Sequence, residues 1–290
     1  MTLRSKLTGW RKIAHAMWGA PNDPQIFGAL DIDATRLVDF MNRCRAAGHR
    51  ITPTHLVGRA VAHALREVPD LNVRIVGEHA VQRPSVEIFF ITAVKGGRDL
   101  SGVKVERAEL KSVFEISEEL TARSRTMKGT PGTAEDPRFA VKADRGFAKT
   151  KNITNAMPSP ILRQALRLSA WITGEHAKSI ESLSLAASPF GSAMVTNVGM
   201  FGLPMGFAPL SWMYRVPLLV LAGEITEKPV AIEGRVEVRP ILPLSATIDH
   251  RYVDGWHLSQ LMKPFRDYLT DPERHEPAIV LIKKDPEPKA

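Results

Sequence analysis

The stretch from Arg235 to Leu269 changes its hydrophobic period once, and the change falls on a cluster of charge. An apolar run through Leu244-Ser-Ala-Thr-Ile248 ends in Asp249, His250 and Arg251. Asp254 and Gly255 follow, and Leu258, Leu261, Met262, Phe265 and Leu269 then recur at helical spacing. A buried strand therefore hands an imidazole to its own end, and Gly255 admits the turn into a helix. An imidazole held there exchanges a proton near neutral pH, as a general base must. Three readings of the junction compete. His250 is structural and Asp254 caps the helix. Alternatively, His250, Asp254 and His257, at i, i+4 and i+7, hold a metal, although Gly255 interrupts the helix that would align them. The third reading is an acyl-transfer site.

The rest of the 290-residue chain limits the setting. At 44% hydrophobic it buries an ordinary core. A single cysteine, Cys44, excludes an internal disulfide. Cys44 sits among Leu37, Val38, Phe40 and Met41 on the apolar side of a helix, which reads as core filling rather than a reactive thiol. The first residues lack a signal-peptide core, and no apolar run approaches the length of a membrane span, so the expected address is cytoplasmic. A formal charge of +8 suits an anionic small molecule, an anionic surface or a solvated basic face. No zinc spacing or aromatic–basic sheet motif supports nucleic acid.

Along the chain the pattern predicts a short opening helix over 10–18 and a strand over 25–32. Asp33 caps a helix over 34–47 that Gly48 stops. Thr52-Pro53 opens a helix to Val68, and its Gly58, Ala60, Ala62 and Ala64 imply close packing. A three-stranded meander is expected over 72–94 and a helix over 110–125. Residues 128–156 lose periodicity at Gly129, Pro131, Gly132, Pro137 and Gly146 and carry Lys128, Arg138, Lys142, Arg145, Lys149 and Lys151. Pro160 opens a helical pattern to about Leu183. Strands are expected over 193–197, 218–225, 230–233 and 235–249, with a tight turn at Glu233-Gly234-Arg235 and a closing helix over 256–269. This mixed order implies an α/β sandwich with a mixed, largely antiparallel sheet flanked by helices.

The string Asp249-His250-Arg251-x-x-Asp254-Gly255 resembles the signature of the acyltransferase catalytic domains of 2-oxo acid dehydrogenase complexes. It is more loosely similar to that of the chloramphenicol acetyltransferases. Met194-Val-Thr-Asn-Val-Gly-Met-Phe-Gly202 is similar to the family's second signature. Trp10–Met17, Ile51–Asn72 and Val216–Ile225 resemble its opening helix, its long buried helix and the strand before the last hairpin. Together the resemblance covers most of 10–127 and 188–272. It implies a chloramphenicol acetyltransferase-like fold and a single catalytic domain over 1–290, without a lipoyl or partner-binding domain. Some 45 to 60 residues separate the helix near 110–127 from the Thr-Asn-Val-Gly strand, more than the family pattern, so 128–185 is read as an insertion.

The resemblance implies coenzyme-A-dependent acyl transfer to a thiol, such as dihydrolipoyl, or to a small-molecule acceptor. His250 is then the general base. Thr196, with Asn197 beside it, donates to the oxyanion, its hydroxyl standing where many relatives have serine. Asp254 orients the histidine loop through an arginine, either Arg11 or Arg251, and Gly255 supports the turn. Coenzyme A, or an acyl-coenzyme A, is the expected substrate, with a lipoyl group carried on another chain and no metal. The expected assembly is a homotrimer or a multiple of it, with the site between subunits, alone or with dehydrogenase-complex subunits. A catalytically inactive trimeric scaffold is the alternative. The insertion is expected to act as a flap over an anionic ligand, and its helix from Pro160, with Arg163, Arg167 and Trp171, has a membrane surface as its rival partner.

Overall fold

The computed structural model describes residues 23–94, 99–128, 158–176, 178–180, 187–211 and 214–279. The expected opening helix with Arg11, and the expected basic loop over 128–156 apart from Lys128, lie outside them.

The described chain is built on one mixed sheet. Its strands are β1 (Gln25–Asp33), β4 (Ile88–Val94), β5 (Asp99–Val105), β6 (Ala193–Asn197), β7 (Leu218–Ala222), β8 (Thr226–Ile232) and β9 (Arg235–Asp249). They run in the order β1-β9-β7-β6-β4-β5, with β8 beside the first half of β9. The pairs β4–β6 and β6–β7 are parallel and the others antiparallel. Glu233 and Gly234, with φ of 49° and 79°, make the two-residue turn between β8 and β9, where positive φ at both positions matches the twist of the strands. Among the described residues five α-helices accompany the sheet: α1 (Thr35–Ala46), α2 (Pro53–Glu67), α3 (Val113–Lys128), α4 (Ser159–Ala170) and α5 (Gly255–Thr270).

α2 is the central buried helix. Thr52 and His55 form its capping box, with Pro53 in the first turn, and Leu56, Val57, Ala60, Val61 and Leu65 are buried. Its small residues let the sheet approach closely: a Cβ added at Gly58 would lie 2.2 Å from the Phe90 ring on β4. One face of the sheet thus packs against α1, α2 and α5 through Ile32, Phe40, Ile88, Phe90, Leu244 and Tyr268. The other face holds a smaller cluster of Met194, Val216, Leu219 and Leu221.

Several boundaries differ from the sequence expectation for identifiable reasons. The meander over 72–94 is two structures: β2 (Val73–Val76) and β3 (His79–Gln82) pair only with each other, while β4 joins the main sheet. Strand β5 carries Gly102 and polar residues and was not expected. β7 stops at Ala222 because Ala222 opposes Leu244 while Thr226 opposes Ile241, so three residues face two in a bulge. α3 starts at Val113 because Ser112 and Glu115 cap it reciprocally, with Glu115 Oε2 accepting from Ser112 N at 2.7 Å. The helix from Pro160 ends at Ala170 and continues only as a π-helical turn over Trp171–Glu175.

Candidate active site

His250 follows the last residue of β9, and its backbone N–H donates to Pro24 O at 2.8 Å. The side chain is exposed at the sheet end. Its Nδ1 lies 2.8 Å from Val253 O. A carbonyl only accepts, so Nδ1 carries the hydrogen, and in the neutral imidazole Nε2 keeps the lone pair. The turn that sets this geometry is held from within: Tyr252 N and Val253 N both donate to Asp249 O, at 3.0 and 3.3 Å. Asp249, buried, accepts from Arg251 N and Nε at 3.0 Å and from Arg251 Nη2 at 2.6 Å. That contact raises the guanidinium's affinity for its proton. Tyr252 OH accepts from Ile75 N at 3.4 Å, tying the β2–β3 hairpin to the same turn.

Arg251 therefore does not brace Asp254; it pairs with Asp249. Asp254 caps α5, its Oδ1 accepting from His257 N at 3.0 Å and lying 2.7 Å from His257 Nδ1. The His257 backbone N–H, first, and its ring hold the Asp254 carboxyl below its ordinary range. His257, which has no motif support, is thus the partner that the spacing concealed: Asp254 and His257 are the first and last members of a capping box. Gly255 is the first residue of α5 and not a left-handed turn. A Cβ there would meet nothing within 4 Å, so the local backbone does not require glycine. No three His, Cys, Asp or Glu side chains among the described residues come together as metal ligands. Burial pushes the Cys44 thiol up to about 11, which keeps it protonated.

Thr196 stands near the end of β6, half-buried. By strand alternation it shares a face with Met194 of the smaller cluster, and Asn197 turns to the helical face. There Asn197 Nδ2 donates to Thr54 Oγ1 on α2 at 3.0 Å, and Asn197 Oδ1 accepts from Met200 N at 3.1 Å. Thr54 had no signal in the sequence beyond its place in the first turn of a helix. Beyond Asn197 the chain crosses over the β7–β8 bulge. A Cβ on Gly199 would lie 2.4 Å from Gly223 C and O, and one on Gly223 would lie 2.0 Å from Pro204 O. The crossing loop exposes Met200, Phe201, Leu203, Met205 and Phe207.

Within one chain, His250 and Thr196 are far apart. Thr196 is level with Leu221 and, through it, with Ser245. His250 lies five residues beyond Ser245, roughly 17 Å along the strand, and two strands to the side. The base and the hydroxyl thus occupy opposite ends of the same sheet.

A buried strand delivers His250 to one end of the sheet, and a strand ending in Thr-Asn-x-Gly carries Thr196 toward the other. The sequence model of the 2-oxoacid dehydrogenases acyltransferase (catalytic domain) family matches residues 2–143 and 136–276, and the chain belongs to that family. It is 26% identical over 278 residues to the dihydrolipoyllysine-residue acetyltransferase component of the Bacillus subtilis pyruvate dehydrogenase complex, covering 93% of this chain and 50% of that protein. The chain spans about half the length of the curated relatives it matches. The fold is that of a probable dihydrolipoamide acetyltransferase from Listeria monocytogenes, with a TM-score of 0.59 at 20% identity over 98% of this chain and 97% of that one. It is equally similar, with a TM-score of 0.59 at 18% identity over 87% and 84% of the two chains, to the cubic core of a pyruvate dehydrogenase multienzyme complex.

Proposed function

We propose that this chain transfers acyl groups between coenzyme A and a thiol, with dihydrolipoyl as the thiol its relatives' names imply. The observation that carries the reading is the exposed His250 imidazole, whose Nδ1–H is committed to Val253 O so that Nε2 is the available base. In one direction Nε2 takes the proton of the attacking thiol. The thiolate sulfur adds to the thioester carbonyl, and the tetrahedral oxyanion is held by the Thr196 hydroxyl. Collapse expels the other thiolate, which takes the proton back from the imidazolium.

The site is completed between two copies of the chain, His250 from one and Thr196 from the next, in a trimer or a multiple of it. The separation of the two residues along the sheet supports this, as does the exposed apolar loop from Met200 to Phe207 beside Thr196, which a neighbouring copy would cover. Coenzyme A enters this reading as a substrate that brings its own reactive thiol. His250→Ala should lower kcat for thioester exchange by on the order of 10² to 10⁴ with the fold intact. Equal activity in the two proteins would rule out this base.

A further inference from the structure

Helix α4 and the π-helical turn after it carry apolar side chains on two sides, and among the described residues only one side is covered. Ala170, Thr173 and Gly174 are buried, and a Cβ on Gly174 would lie 2.8 Å from Arg215 Cγ. The π-helical turn is therefore pinned to the body. On the other side Ile161, Leu168 and Trp171 are 58%, 58% and 49% exposed. At about 100° per residue these positions fall within one arc of roughly 80°, a continuous stripe along the helix. Arg167 is exposed beside it. From Ser159 to Ala170 the only charges are Arg163 and Arg167, with no carboxylate.

We propose that α4 docks this chain on an anionic lipid surface. Ile161, Leu168 and Trp171 enter the boundary between headgroups and acyl chains, and Arg167 meets lipid phosphates. The exposed stripe amounts to on the order of 350 Å², well short of the roughly 800 Å² per partner of a stable protein interface. That shortfall argues against a second copy of the chain as the occupant. A lipid surface requires no shape-matched partner. It requires an apolar strip, a cationic flank and an indole at the interface, all of which α4 presents. Among the described residues no helix is long and apolar enough to cross a membrane, so α4 lies along the surface. The proposal stands apart from the acyl-transfer reading, because none of these residues belongs to that site.

The test is flotation of the full chain with vesicles of phosphatidylcholine and phosphatidylglycerol in equal parts, against phosphatidylcholine alone. The expected result is co-flotation with the anionic vesicles only, weakened by salt. It should fall about tenfold or more in Leu168→Glu and several-fold in Arg167→Glu, with soluble thioester activity unchanged. If Leu168→Glu does not fold, Ile161→Glu at the other end of the stripe serves. No flotation of the unmodified chain, or flotation that survives these variants, would overturn the proposal. So would a loss of self-association in Leu168→Glu, since the stripe would then be an interface between copies.

Discussion

Acid should loosen the base of α2 through His55, and the size of the effect follows from its surroundings. Burial lowers the His55 imidazole from an ordinary 6.5 to about 4, opposed by a backbone hydrogen bond at Arg50. Its Nδ1 accepts from Thr52 N at 3.3 Å, so protonation also removes the acceptor that caps α2. A histidine depressed in the folded state contributes stability that is complete above the unfolded value of 6.5. That stability is lost as pH falls toward 4. At about 1.4 kcal/mol per pH unit the loss is up to about 3 kcal/mol. His55→Gln keeps a side chain able to accept from the Thr52 N–H and cannot titrate. Urea unfolding of both proteins at intervals from pH 7.5 to about 4 isolates the term as the difference between two curves. That difference should be flat above about pH 7 and steepen below 6.5. Because Thr54 holds Asn197 beside Thr196, acyl transfer should fall over the same range more in the unmodified chain than in the variant. Parallel stability curves would exclude His55 as the source of the acid sensitivity.

The buried carboxylate of Glu276 accepts from Tyr268 OH at 2.6 Å and Val113 N at 2.7 Å and lies 3.3 Å from Arg59 Nε. Glu276→Ala leaves the Arg59 charge buried alone and should cost about 3–5 kcal/mol, read as a Tm lower by roughly 10 °C. Gly223→Ala drives a Cβ onto Pro204 O and should destabilise by at least about 2 kcal/mol, while Gly255→Ala, with open space above it, should leave Tm within a degree or two. Asp254→Ala removes the α5 cap and should lower Tm by about 2–4 °C while leaving kcat within a few-fold of the unmodified chain. A kcat loss comparable to that of His250→Ala would instead assign Asp254 a direct part in holding the base.

What could be read in the sequence was whatever its periodicity and its punctuation determine locally. β6 matches its apolar run, β9 runs from the Glu233-Gly234 turn to the charged cluster at Asp249, and α2 starts at Thr52-Pro53 because cap and proline act within one turn. What could not be read depends on neighbours distant in sequence. The β2–β3 hairpin separates from β4 because Tyr252, far along the chain, accepts from Ile75 N. Spacing could not choose a partner for Arg251, because a guanidinium reaches two residues back to Asp249 as easily as three forward to Asp254. The spacing offered His257 only as a metal ligand, because a capping histidine has no pattern of its own. The pairing of Thr54 with Asn197 joins a helix start to a strand end across the fold, and no spacing announces it.

If one site needs two chains, two variants that are each inactive should restore activity when mixed. Thr196→Val keeps the shape of the side chain and removes the hydroxyl, with an expected kcat loss on the order of 10² to 10³. His250→Ala removes the base. Co-expressed in equal amounts with different tags and purified through both, the mixture forms interfaces that combine an intact His250 from one chain with an intact Thr196 from the next. A mixed trimer makes this combination at one of its three interfaces, and a larger random assembly makes it at about a quarter. Thioester exchange should therefore return to about a quarter to a third of the unmodified rate, far above either variant alone. A mixed assembly no more active than its parents would show that each chain carries its own complete site and would contradict the account.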